Sequence, residues 1–507
     1  MHAAAPGRHV SPWVATAPPA DLGDTAFRPY DADVVVVGAG VVGLTTALLL
    51  QQAGRDVVLV DSGAVGQGVT AHSTVKVTVA QGTVLQQLAR RLGEDAARLY
   101  AEVNAAGLAR VRSLVDEHRI DCDLEFAPHV LYARDASSAQ AVRAEAALAA
   151  RFGLPAQPVD DVPLPFEVAA AASFADQVSL HPVRYLHGLA RAFLAAGGSL
   201  VEHARALAVH EGDPCRVTTT AGELRGRHVV VATHYPFLDR GLHFARLVHK
   251  REYGVAVRLP EGTRAGMTYA VDSPTRSTRT LRLDGERLLV VVGESHPVGS
   301  EPDTPSRWAA LARWAQAEVG AGDVVFSWST QDVSTADGLP YVGWLTPGTD
   351  RLLTATGFGG WGMTNGTAAA ELLASLVLGR RHPWAEPLDA RRVGLPASAG
   401  TLVKANLEVG AHFVGDRLRR LRAGRPEDLA PGQAAVLRVG ARHLACYRDE
   451  EGALHVLSAR CTHLGCLVSW NPGERSWDCP CHASRFDHTG AVLEGPAVRP
   501  LPPARPS

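Results

Sequence analysis

The stretch 31–61, DADVVVVGAGVVGLTTALLLQQAGRDVVLVD, constrains this chain more than any other. DVVVV is a short, continuous β-branched run, as expected of a strand buried on both faces of a parallel sheet. Gly38, Gly40 and Gly43 follow it directly as G-x-G-x-x-G. An Ala- and Leu-rich helix comes next, then a second strand, VVLV, with Asp61 at its end. Gly38 permits the tight turn, Gly40 admits a pyrophosphate, and Gly43 lets helix and strand pack closely. The helix N-terminus then faces the phosphates, and Asp61 can bind the ribose hydroxyls of an adenosine. The glycines alone are a weak signal. Strand, helix, second strand and terminal acid in this order predict a dinucleotide site.

The length of 507 residues calls for more than one domain. Residues 1–30 hold Pro, Gly and Ala but no long apolar run, and read as a flexible leader without a signal-peptide core. Residues 31–80, 171–245 and 331–385 are expected to form a discontinuous nucleotide-binding domain. Residues 81–170 and 246–330 are expected to form a substrate domain. Helical spacing covers 83–120 and 136–152, with a strand at 124–134. Alternating stretches such as TRTLRLDGERLLVVVGE predict an antiparallel sheet over 250–330. RLLTATGFGGWGMTNGTAAAELLASLVLG predicts a strand, a Gly-rich turn and a long helix beginning near Met363. Residues 386–430 read as a linker packed along the large domain, and 431–507 as a compact β-rich unit. The formal net charge is −2 and no 18-residue apolar run occurs. Nothing therefore points to nucleic acid, an anionic membrane or a membrane span, and a cytoplasmic location follows as the default.

Five of the seven cysteines lie in the last 62 residues: Cys446, Cys461, Cys466, Cys479 and Cys481. Cys461 and His463 form C-x-H; fifteen residues later, Cys479 and His482 form C-x-x-H. Two Cys and two His on two loops suit zinc or a [2Fe–2S] cluster. Cys466 and Cys481 each lie beside a ligand loop. A disulfide between them would clamp the loops together, which a simple zinc knuckle does not need.

The segment CTHLGC…CPCHAS closely resembles the Rieske family. That resemblance implies that Cys461 and Cys479 bind one iron and His463 and His482 the other. It also implies that Cys466 and Cys481 form the family's disulfide, although cytoplasmic thiols are ordinarily reduced. Ser484 matches a serine that bonds a bridging sulfide. Phe486 stands where high-potential members carry a tyrosine. The missing hydroxyl implies a lower potential than theirs, within the broad window of about −150 to +300 mV.

The pieces VVVVGAGVVGLTTALLL, LVDSGAVGQGVTAHST, HPVRYLHGLARAFLAAGG, VVVATHYP and TGFGGWGMTNGTAAAELL, in this order, resemble another group. It is the FAD-dependent D-amino-acid oxidase, glycine oxidase and sarcosine oxidase superfamily, in the branch with a C-terminal Rieske domain. The resemblance spans roughly 32–385 and 431–503. The implied fold is an α/β Rossmann-type FAD-binding domain, an α+β substrate-binding domain and a C-terminal all-β Rieske domain. By the same resemblance, Ser73 and Thr74 lie near the pyrophosphate and ring. Gly359, Gly360, Gly362, Met363 and Thr364 line the pyrimidine side of the flavin. His72 and Lys76 take the places of a His and an Arg over the ring, with Lys keeping the cation but losing the planar fork. Tyr253 and Trp361 are candidates for the pocket wall. Lys250, Arg251, Arg276 and Arg279 are candidates for a carboxylate clamp. Neither Cys122 nor Cys215 lies where sarcosine oxidase supplies its flavin-linking cysteine, which implies non-covalent FAD.

Flavin accepts a hydride, while a Rieske centre takes one electron at a time. Together they imply a dehydrogenase that oxidises a small amine or amino-acid-like substrate and delivers electrons to a one-electron redox partner. A reversed current, with the chain as a reductase component, is the alternative. The lack of a second G-x-G-x-x-G argues against direct NAD(P)H use. A non-enzymatic redox sensor is a third reading.

Overall fold

The computed structural model describes residues 6–238, 240–392 and 424–505. Most of the expected linker, 393–423, lies outside the described residues. Two large sheets share the first 392 residues. The nucleotide-binding sheet runs Tyr341–Trp344, Leu352–Thr356, Glu223–Val231, Tyr30–Val37, Val57–Val60, Ser199–Val201. All neighbours on this path are parallel except the Tyr341–Trp344 edge strand. Val34–Val37 pair in register with Val57–Val60 on one side and with His228–Val231 on the other.

The valine run reflects two covered faces. Val34 and Val36 join the core that includes the helices Val41–Gln52, Pro182–Ala195 and Gly362–Val377. Val35 and Val37 point the other way, into a second core with Val209 and Val217 from an antiparallel hairpin.

The second sheet runs Arg8–His9, Val324–Thr335, Leu247–Arg258, Glu286–Pro297, Arg276–Leu283, Met267–Ala270, Glu125–Ala133, Ala170–Ser179, Lys76–Val77. Its strands from 247 to 335 are antiparallel, as their alternation predicts. Two expected boundaries do not follow the strands. Ala170–Ser179 pairs with Glu125–Ala133 in this sheet rather than joining the nucleotide-binding domain. Val324–Thr335 runs unbroken through the expected division at 331.

The leader is not a loose arm over its described part. Arg8–His9 adds a parallel edge to Phe326–Ser327. Ser11 caps the short helix Pro12–Thr16 and its Oγ donates to the Ala71 carbonyl at 2.7 Å. Trp13 is buried, its Nε1 donates to the Ser73 carbonyl at 2.9 Å, and the Arg279 guanidinium lies 4.8 Å from its ring centre. The segment thus buttresses the loop that carries His72, Ser73 and Thr74.

Residues 434–494 form two small antiparallel sheets, one of three strands and one of four. Trp477 and Phe486 fill the core beneath the cysteine loops. Among the described residues no helix is long and apolar enough to cross a membrane.

Trp13→Ala should lower stability by about 3–5 kcal/mol, the usual cost of emptying a buried aromatic site. Urea unfolding followed by flavin fluorescence measures it. A change under 1 kcal/mol would mean that the segment is not part of the core.

Candidate functional site

A cavity of about 820 Å³ opens along the C-terminal ends of the parallel strands and extends to the β-rich domain. Gly38 and Gly40 lie on its wall. Gly38 has φ +105°, and a Cβ there would lie 2.6 Å from the Ala232 carbonyl oxygen. A Cβ on Gly43 would lie 1.7 Å from the Gly38 carbonyl oxygen, so only glycine lets the helix start against the turn. The Asp61 carboxylate accepts hydrogen bonds from the Ala39 N–H at 2.6 Å and the Gly63 N–H at 2.9 Å. Those bonds fix it at the cavity wall and leave lone pairs for a diol. Burial raises its pKa, against the pull of the two N–H groups and Arg205.

At the other end, Gly359 and Gly360 have φ of +61° and +87° and lead into the helix Gly362–Val377. That helix has no side-chain cap, and Gly362 and Met363 line the cavity at its first turn. Uncapped N–H groups at one end and a glycine cradle with an aligned acid at the other fit FAD. Thr364 is set back from the wall: it is buried, and its Oγ1 donates to Asn104 Oδ1 at 2.6 Å. Cys122 and Cys215 are both buried and neither lines the cavity.

His72, Ser73, Thr74 and Trp361 line the cavity, and His72 Nδ1 lies 3.0 Å from the Gly68 carbonyl oxygen. Lys76 does not line it. Its Nζ is buried behind Tyr269, donating to the Thr268 carbonyl at 2.9 Å and to Ser277, and lying 3.3 Å from His129 Nε2. Burial, helped by Arg279, brings its pKa down to about 7.

The clamp candidates are mostly committed elsewhere. Arg276 pairs with Glu294, and Arg279 donates to the Thr74, Val75 and Leu180 carbonyls. Arg251 is bound to the β-rich domain. Lys250 is exposed at the cavity lining and makes no ion pair among the described residues. Tyr253 is core, its ring against Trp308.

Three cavity residues escaped sequence reasoning: Glu252, Asp332 and Tyr269. Burial and the neighbouring Asp332 push Glu252 up to about 7. Burial also raises Asp332, against His234 and the Gly360 and Val333 N–H groups. Alternation on the strand Leu247–Arg258, which puts Lys250 and Glu252 on one face, was the available signal for Glu252.

In the β-rich domain, Cys461 and Cys479 are both buried and lie beside each other on the two loops. The His463 and His482 rings lie 5.0 Å apart and nearly perpendicular. Cys466 and Cys481 are joined in a disulfide, and its sulfurs lie within 4.8 Å of Cys479 Sγ. Ser484 is buried and hydrogen-bonds Cys461. Two thiols and two imidazoles thus converge from two clamped loops. That is the donor set of a cluster whose irons take Cys₂ and His₂.

The two sites share a wall. Arg251, buried, pairs with Glu474 at 2.9 Å. Glu474 also pairs with Arg485, which reaches Asp478 and Glu494. Burial alone would raise the Glu474 pKa; Arg251, His9 and Arg485 hold it well below the usual range. The loop that carries Cys479 and His482 is pressed against the larger unit. Gln331 donates to the Ala483 carbonyl at 3.1 Å, and the Phe244 ring meets His482 edge-on at 5.5 Å.

Residues 33–376 match the family described as FAD dependent oxidoreductase, and residues 420–505 match the Rieske [2Fe-2S] domain. The chain belongs to the FAD dependent oxidoreductase family, with a Rieske domain fused behind it. It is an oxidoreductase with two cofactors, FAD and a Rieske-type iron–sulfur cluster.

One relative matches almost end to end. YhfW of Bacillus subtilis (strain 168), whose name carries the words Rieske 2Fe-2S iron-sulfur protein, is 33% identical over 93% of each chain. The cytochrome b6-f complex iron-sulfur subunit 1 of Cyanophora paradoxa is 35% identical over 25% of this chain and 50% of its own. Among solved structures, glycine oxidase from Geobacillus kaustophilus superposes with a TM-score of 0.60 at 20% identity, covering 72% of this chain and all of its own. L-proline dehydrogenase from P. horikoshii gives 0.58 at 17% identity, over 72% and 98%.

Arg251→Met should destabilise the chain by about 3–5 kcal/mol, because Glu474 loses a partner while buried. Urea unfolding read at the cluster's visible absorbance tests this; a loss below 1 kcal/mol would make the pair incidental. Lys76→Met should show a characteristic pH dependence. The ammonium opposes folding fully below pH 7, and that opposition fades as pH rises toward the ordinary value of 10.5. The stability of Lys76→Met relative to wild type should therefore fall steadily from pH 7 to 10. A flat difference would contradict the buried, neutralised lysine.

Proposed function

We propose that this protein is a dehydrogenase of C–N bonds, taking electrons from an amine-type substrate at the flavin and delivering them through the Rieske cluster to a one-electron acceptor. When bound, FAD supplies a two-electron hydride acceptor and the [2Fe–2S] cluster a one-electron carrier.

The observation that carries this reading is the shared wall. The paired strands Leu247–Arg258 and Val324–Thr335 place Glu252 and Asp332 on the FAD cavity. The residues next to them in sequence, Arg251 and Gln331, bond the Rieske domain. His249, on the Arg251 side of its strand, places its ring 4.9 Å from that of Tyr235, which lines the cavity. A buried ion network holds the domains at this contact, an arrangement suited to passing electrons within one chain. Similarity to glycine oxidase and L-proline dehydrogenase supports an amine or amino acid as the donor.

The test is anaerobic mixing with a panel of amines and amino acids, followed by absorbance and EPR. The flavin should bleach and a rhombic reduced-cluster signal should follow. In Cys461→Ser the flavin should still bleach while that signal is lost. Reduction by NADH or NADPH alone would reverse the proposed current.

A further inference from the structure

Resting on that reading, we infer that the substrate is a cationic amine without a carboxylate, held as its ammonium by Glu252 and Asp332 and enclosed by Tyr269 and Trp361. All four residues line the cavity. The Tyr269 and Trp361 rings lie 5.5 Å apart and tilted. Asp332 reaches the turn that carries Trp361: its Oδ2 lies 3.7 Å from where a Cβ on Gly360 would stand. Lys250 pairs with Asp332 and Glu252 with Thr330, so Glu252 and Asp332 are diagonal neighbours on one face of the paired strands, and the Glu252 charge acts on Tyr269.

The Glu252 side chain makes no hydrogen bond and no ion pair within 4 Å among the described residues. A half-buried carboxylate facing the cavity with no partner is poorly solvated, and a bound ammonium between two acids and two aromatic faces relieves that. Carboxylate recognition has the opposite balance. Arg251, Arg307 and Arg485 all line the cavity but are each tied into ion pairs with glutamates. Arg205 donates to the Val492 carbonyl beside the Asp61 end. Arg276 and Arg279 are turned into the protein, and Lys76 lies behind Tyr269. Lys250, opposite Asp332 in register, is exposed. The groups that set the charge around Glu252 are therefore Asp332, Lys250, Lys76 and Tyr269.

The experiment uses the FAD- and cluster-loaded protein. Benzylamine, N-methylbutylamine and 1,4-diaminobutane are compared with glycine, sarcosine and L-proline. Anaerobic flavin bleaching and calorimetric binding to the oxidised protein are both measured. The cations should show kcat/KM at least tenfold above the zwitterions. Glu252→Gln, and independently Asp332→Asn, should raise KM and the calorimetric Kd for the cations tenfold or more while kcat changes less than threefold. Preference for the zwitterions overturns the inference, as does a KM that responds to Lys250→Met and not to Glu252→Gln. If no compound bleaches the flavin, the dehydrogenase reading fails by itself. Calorimetry then still decides this one: cation binding that Glu252→Gln weakens upholds it, and its absence overturns it.

Discussion

A β-strand turns successive side chains to opposite faces, and this molecule places that alternation between its two redox sites. Along Leu247–Arg258, Arg251 reaches Glu474 of the Rieske domain at the seam end of the cavity, while Lys250 and Glu252 line the cavity from the opposite face of the strand. The paired strand repeats the pattern with Gln331 and Asp332. A slip of one residue in register would exchange the two sets. It would turn Arg251 away from Glu474 and leave that carboxylate without this cation. The eleven partners recorded between Leu247–Val257 and Val324–Thr335, with a single irregularity near the end, are therefore a functional constraint as well as a structural one.

The ion network at the seam follows from the same geometry. Arg251 and Arg485 are both buried and face Glu474, Asp478 and Glu494. Such a network contributes little net stability over an apolar contact but makes one arrangement far better than its neighbours, since any sliding strands a charge. Such selectivity fixes how the two redox sites face each other. The leader adds to it: His9 reaches Glu474 at 3.4 Å, and Trp13 braces the loop that carries His72 to Thr74.

Much of this was legible in the sequence because some positions admit one residue type. Gly43 cannot be anything larger against the Gly38 carbonyl. The spacing of Cys461, His463, Cys479 and His482 admits few chemistries. The order of strand, glycines, helix and acid announced the cofactor cradle. What was not legible depends on distant partners. Arg251 meets Glu474 across 223 positions, so it read as one of four equivalent cations. Ala170–Ser179 has the composition of a strand for either sheet, and only pairing decides which. Lys76 was placed by motif spacing on the flavin, yet its side chain turns behind Tyr269 to three internal partners. The leader read as flexible because nothing local said what Trp13 would pack on.

The central claim is that electrons cross from flavin to cluster inside one chain. Stopped-flow reduction of the flavin by a substrate, with cluster reduction followed at several protein concentrations, tests it most directly. A first-order cluster phase whose rate constant does not change over a twentyfold range of concentration is the predicted result. A phase that speeds up in proportion to concentration would mean that electrons pass between molecules, and the shared wall would then not be the route.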